Sequence, residues 1–198
     1  MRHHLSSPDD VRALGRVVLV ELAHDDAHTQ MAEEMTTALY KALQSRGLFH
    51  VSRVGRDDPV CRDLPLGRDE PLTLGELSAI RRRLRCDAVL TGRLNAYAPH
   101  PRMQVGLYLN LLDLRDGKVV WGVDHVWDTT ERRTRRQLKR FYRDRMSGPY
   151  GPVDWKLATM SPKHFAKFVA EQAAGTLDDV NAETRKQASV IDRLRGEV

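Results

Sequence analysis

The sequence predicts an α/β fold: a mixed sheet built from β-α-β-α-β followed by a β-hairpin, with helices mainly on one face and additional C-terminal helices. Three observations predict it. Residues 17–23, VVLVELA, form a near-continuous β-branched and aliphatic run, the pattern of a strand buried on both faces of a parallel sheet. Two stretches of helical periodicity then separate this run from the next two strand-like segments. Finally, residues 87–127 read as one strand followed by a long hairpin that turns at Asp116 and Gly117, which places this stretch at the centre of the sheet.

Residues 1–15 are polar, with Ser, Pro and Asp, and are expected to be a flexible lead-in. After the first strand the acidic turn HDDAH leads into a helix from about Thr29 to Arg46. Met31, Met35, Ala38, Leu39, Ala42 and Leu43 make its apolar face, Glu33 and Glu34 favour its positive end, and Gly47 suits the residue beyond its C-terminus. FHVSRV (49–54) is a second strand, and the Gly- and Pro-rich residues 55–71 an irregular loop. Thr73 and Glu76 form a capping box, with Leu72 and Leu77 as a staple, for a helix that buries Leu77, Ile80 and Leu84.

In the third strand, AVLTGRLNAY, the residues Ala88, Leu90, Leu94 and Ala96 are expected on one face, with Gly92 where a neighbour approaches closely. The hairpin register follows from pattern. A two-residue Asp116-Gly117 turn would set Leu111 against Gly122 and mix both faces. A three-residue turn, Arg115 to Gly117 with Gly117 left-handed, sets Leu111 against Trp121 and Leu109 against Val123. Val105, Leu107 and Val119 then join one apolar face. Asp113 falls on that face near the turn, where it is expected to reach water. Tyr108, Asn110 and Asp124 are left on a polar, open face.

Asp128 and Glu131 are spaced as a second capping box, opening a basic helix that runs to about Met146 and could dock through Leu138, Phe141 and Tyr142. SGPYGP (147–152) breaks the chain. A last core helix starts at Ser161 and Pro162, faces inward with Phe165, Phe168, Val169 and Gln172, and is stapled by Met160 against Phe165. Residues 16–177 thus form a single α/β domain with a basic helical insertion at about 128–160. Residues 178–198 are a polar tail or marginal helix.

The chain has 198 residues, 41% hydrophobic and 30% charged, enough for one ordinary core. No apolar run approaches the roughly 18 residues of a membrane-spanning helix. MRHHLSSPDD contains no apolar stretch of the kind a secretory signal needs. The expected location is therefore the periplasm or cell envelope if a leader has been removed, and otherwise the cytoplasm. Cys61 and Cys86 form no metal or redox spacing and are expected to be unpaired structural thiols.

The net charge of +5 is concentrated. Residues 131–145 carry eight basic and two acidic side chains, a local +6, so the remainder of the chain stands at −1. Arg132, Arg133, Arg135, Arg136, Lys139 and Arg140 spread over more than one helix face. They suit a solvated surface, a protein or anionic-polymer partner, or nucleic acid or lipid. His24, Asp25 and Asp26 sit at the end of a strand, where open α/β sheets place ligands. His24 and His28, four apart beside Asp25 and Asp26, are joined by no third metal ligand by spacing, and no nucleophile or oxyanion element accompanies His24, Asp25 and Asp26, so no catalytic, metal or cofactor residue is assigned and no cofactor is expected. Trp121, Trp127 and Trp155 read as packing residues.

The element order, together with DAVLTGRL, LNLLDLRDGKVVW and SPKHFAKFVAEQAAGTL, resembles a bacterial envelope family. It is similar to the α/β domain of the curli-secretion lipoprotein CsgG, the TolB amino-terminal domain, activators of penicillin-binding proteins and a group of small lipoproteins. The likeness covers roughly residues 16–127 and extends through the last helix. It implies a non-enzymatic cell-envelope binding or assembly domain acting through protein–protein contacts, with an envelope protein or anionic polymer as partner and self-association as a further option. The alternative reading is a cytoplasmic nucleic-acid-binding module using the arginine-rich helix. The partner surface expected is Tyr108, Asn110 and Asp124 alongside that helix.

Overall fold

A computed structural model describes residues 1–67, 70–99, 102–145, 155, 159–178 and 180. Six strands form one mixed sheet: β1 (Arg2–Leu5), β2 (Arg16–Val20), β3 (His50–Val54), β4 (Ala88–Ala98), β5 (Gln104–Asp113) and β6 (Val119–Asp128). Their spatial order is β1-β6-β5-β4-β2-β3, with β3, β2 and β4 parallel and β4, β5, β6 and β1 antiparallel. The hairpin strands and β4 therefore occupy the middle of the sheet, as their apolar alternation predicts.

The helices are α1 (Pro8–Arg12), α2 (Thr29–Gln44), α3 (Leu74–Leu84), α4 (Arg132–Arg145) and α5 (Pro162–Ala174). The main core lies on one side of the sheet. There Leu19, Leu90, Leu109, Leu111 and Trp121 meet α1, α2, α4 and α5 through Val11, Met35, Leu39, Leu138, Phe165 and Phe168. Each is at most 2% exposed. The second side carries α3 alone among the described helices, over Val18, Val20 and Val89 through Leu77 and Ile80. Thr73 caps α3 as its sequence requires: its hydroxyl accepts from Glu76 N at 3.3 Å, and the Glu76 carboxylate accepts from Thr73 N at 2.8 Å.

The hairpin adopts the register that segregates its faces, with Leu109 opposite Val123 and Leu111 opposite Trp121, and Gly117 is left-handed at φ +75°. The route to that register differs near the turn. Asp113 N donates to Lys118 O, Leu112 pairs with Val119, and Val120 is the extra residue of a bulge. The bulge turns Val119 onto the open face and sends Val120 into the main core. Asp113 does not reach water either. It is buried, and Arg115 folds back over it, donating from its backbone N at 2.8 Å and from Nε at 2.9 Å.

Other local expectations change for similar reasons. The lead-in expected over residues 1–15 is ordered: β1 pairs antiparallel with β6, and Ser7 caps α1, whose Val11 is buried. A bulge between Leu94 and Ala96 reverses the alternation, so Ala96 leaves the face of Leu94 and Tyr97 joins the core side. Asp128 and Glu131 are not a capping box. The Asp128 carboxylate accepts from Thr130 N at 2.7 Å in a tight turn, and α4 begins only at Arg132. Met160 is 70% exposed and staples nothing. Of residues 178–198, only Asp178 and Val180 are described. Val180 is buried and its carbonyl accepts from Arg12 Nη2 at 2.6 Å. The remaining tail and much of the break after α4 lie outside the described residues.

Candidate functional site

The residues expected to form one partner surface lie on two opposite sides of the molecule. On the side that carries α3 alone among the described helices, alternation along β4, β5 and β6 sets out an open polar face. Arg93 is opposite Tyr108, Tyr108 opposite Asp124, and Asp124 opposite Arg2 of β1. The Arg93 guanidinium stacks over the Tyr108 ring at 4.9 Å, which fixes a charged group on an aromatic face. Asn110 Nδ2 donates to the Tyr108 hydroxyl at 2.9 Å. Tyr108 and Asn110 are half-buried, while Arg93, Asp124 and Arg2 are exposed.

Gly122, opposite Asn110, is small for a reason the register makes plain. A Cβ there would lie 3.1 Å from Asn110 Oδ1. Beside these residues, the loop before α3 stands over the sheet and encloses a cavity of about 490 Å³, whose wall includes Leu66, Glu70, Thr91, Asn110, Asp116 and Val119. The surface combines aromatic, amide and charged groups on strands of the central sheet.

Arg93 and Arg2 were not singled out by sequence reasoning. Arg93 was legible in principle, because Val89, Thr91 and Arg93 alternate with Ala88, Leu90 and Gly92. Arg2 was not, because RHHL has no apolar alternation and becomes a strand only by pairing with β6.

On the main-core side, α4 is held by Thr134, Leu138 and Tyr142, spaced four apart and all buried, with the Tyr142 hydroxyl donating to His164 O at 2.8 Å. Phe141 meets Phe168 edge to face at 5.8 Å. Arg132, Arg133, Arg135, Arg136, Lys139 and Arg140 are all exposed. The helix thus docks as its apolar spacing predicts, but with the sheet between its cations and Tyr108.

The His24 ring hydrogen-bonds the adjacent Asp25 carbonyl at 3.0 Å. The nearby cavity at the end of β2, about 140 Å³, is walled by Glu21, Arg56, Cys61, Arg62 and Thr91 among others. Cys61 and Cys86 are buried free thiols. No described helix is long and apolar enough to cross a membrane.

No protein-family model matches the sequence, and no curated protein matches it. Solved structures do match. The chain is similar to the PelC dodecamer from Paraburkholderia phytofirmans, at TM-score 0.52 and 14% identity over 89% of this chain and 94% of that one. Looser likenesses include a lipoprotein from Neisseria meningitidis, at TM-score 0.42 and 14% identity over 59% of this chain and 85% of that one, and LpoB from E. coli, at TM-score 0.40 and 19% identity over 62% and 64%. None of these three is a curli-secretion or TolB protein. The PelC likeness spans nearly the whole of both chains and establishes a shared fold.

Proposed function

We propose that this chain is a non-enzymatic binding or assembly domain of the bacterial cell envelope, acting through protein–protein contacts made by the open face of its sheet. The observation that carries the proposal is the fixed Arg93–Tyr108–Asn110 group on a sheet face that α3 covers only at one end. A lone exposed arginine is a solvated residue. One stacked on a tyrosine, whose hydroxyl is engaged in turn by an amide, is preorganised, and contact with a partner then costs less side-chain entropy. The fold shared with PelC, described as a dodecamer, supports a second copy of this chain as one such partner.

A nucleic-acid reading draws less support. The exposed residues of α4 include no aromatic side chain on which a base could stack. The proposal is tested by replacing Asn110 with a photo-crosslinking amino acid in the native host, and by light scattering of the purified chain. Cross-links to an envelope protein or to a second copy, lost in Tyr108→Ala/Arg93→Ala, are expected. Fractionation to the cytoplasm alone, or an adduct pattern unchanged by that variant, would overturn it.

A further inference from the structure

The cations of α4 are arranged as a single strip. At 3.6 residues per turn, Arg132, Arg133, Arg135, Arg136 and Lys139 span an arc of roughly 160° along a helix roughly 20 Å long. Thr134, Leu138 and Tyr142 fall on the remaining arc and are the buried ones. Every one of the five cations is exposed, and no described residue within the strip is acidic, aromatic or aliphatic and exposed. Glu131 stands just before it. This is not an amphipathic helix waiting for an apolar cover, because its apolar side is already used.

The first turn of α4 stands close to the end of β6. His125, in β6, packs edge to face on Trp127 at 4.8 Å. Burial pushes its imidazole below the ordinary histidine range. The N-terminal amine, Arg133 and Arg2 push it further down against the opposing charge of Glu131.

We propose that the exposed strip of α4 docks the domain onto the phosphate headgroups of an anionic phospholipid bilayer. Guanidinium groups repeated along a straight, convex face present paired donors to a plane of phosphates, the geometry that arginine binds best. The absence of apolar side chains in the strip makes this a surface contact without insertion, in contrast to helices that bury an apolar face in the interface. No aromatic platform or exposed Asn or Gln is there to read bases, and a flat lattice of phosphates requires neither. The sheet then separates the bilayer from the Tyr108 face, leaving that face turned away and accessible to a partner.

The full chain is sedimented with vesicles of phosphatidylcholine, with and without phosphatidylglycerol, over a range of salt, and a short DNA duplex is added as competitor. Binding is expected only to vesicles containing phosphatidylglycerol and is expected to weaken steeply with salt. Arg133→Gln/Arg136→Gln should weaken it about 30-fold, at about five-fold per cation. Arg62→Gln/Arg82→Gln, which removes two exposed cations elsewhere, should leave it unchanged. Circular dichroism reports that each variant folds.

Failure to sediment with anionic vesicles at low salt would overturn the proposal, as would equal weakening by the two double variants. Displacement by DNA at a lower phosphate concentration than the vesicles supply would assign the strip to nucleic acid and overturn it as well. Each result is separable from the cross-linking of Asn110, which reports on the opposite side of the sheet.

Discussion

The indole Nε1 of Trp121 donates a 2.8 Å hydrogen bond to the hydroxyl of Thr176, which donates in turn to Ala173 O at 2.7 Å. Both residues are buried, and the pair joins the central hairpin to the turn that ends α5. Thr176→Val keeps the shape and removes the acceptor, leaving an indole N–H buried without a partner. A loss of about 1–3 kcal/mol is expected. Thr176→Ser, which retains the hydroxyl, should recover most of it. Urea denaturation of the three proteins, followed by tryptophan fluorescence, measures both.

Asp113 and Arg115 give the fold an acid-sensitive point. Burial pushes the Asp113 carboxyl up, but the hydrogen bonds and charge of Arg115 outweigh burial and hold it below the usual carboxylate range. A folded value below the unfolded one means that the pair stabilises fully above the unfolded carboxylate pKa, and that the contribution is lost as pH falls through the folded value. Arg115→Gln removes the guanidinium and leaves only the backbone N–H of residue 115 to oppose burial, so its acid loss should begin at higher pH than in the parent. At neutral pH the variant should be weaker by about 1–2 kcal/mol, the lower end of the range because Arg115 is half exposed. Denaturant midpoints taken across the acid range test the shift.

Two glycines should respond very differently to alanine. At Gly92 a Cβ would lie 2.5 Å from the backbone oxygen of Tyr108 and 2.6 Å from Leu109 Cδ2. The Tyr108 carbonyl belongs to a central strand and cannot yield, so Gly92→Ala should cost about 3 kcal/mol, the upper range of overpacking. At Gly117 the obstacle is conformational, φ +75°, with Leu77 Cδ1 3.1 Å from the new atom. Gly117→Ala should cost about 1 kcal/mol. Thermal melts of the two variants would show which dominates, close approach or backbone conformation.

Both thiols should be slow to react. Burial pushes Cys86 up to about 11, with Asp87 adding to it, and burial raises Cys61 in the same direction with help from Asp58. Since the thiolate is the reactive form, a disulfide reagent at neutral pH should titrate almost no thiol in the native protein and two per chain in denaturant. Rapid native labelling of either cysteine would contradict the burial described.

What could be read without coordinates followed from period and local chemistry. The α/β class, the order of strands and helices, the capping box at Thr73, the docking of α4 through Leu138 and Tyr142, and the pairing of Leu111 with Trp121 all rest on spacing within one or two elements. Alternation can choose between registers because a slip of one residue would turn Leu109, Leu111, Trp121 and Val123 to the wrong face.

Only the tertiary structure decided the rest. The bulges at Asn95 and Val120 exchange the faces of Ala96 and Val119, and an extra residue in a strand leaves no mark on local pattern. Residues 2–4 are polar and become part of a strand because β6 offers an unpaired edge, a long-range partner that RHHL does not announce. Above all, the sequence placed Tyr108, Asn110 and Asp124 together and the arginines of α4 together, but could not say that the sheet lies between the two groups. Which face a helix returns to after leaving a strand is settled by core packing across the whole chain. Here Leu138 and Tyr142 had their cover of Phe165 and Phe168 on the far side.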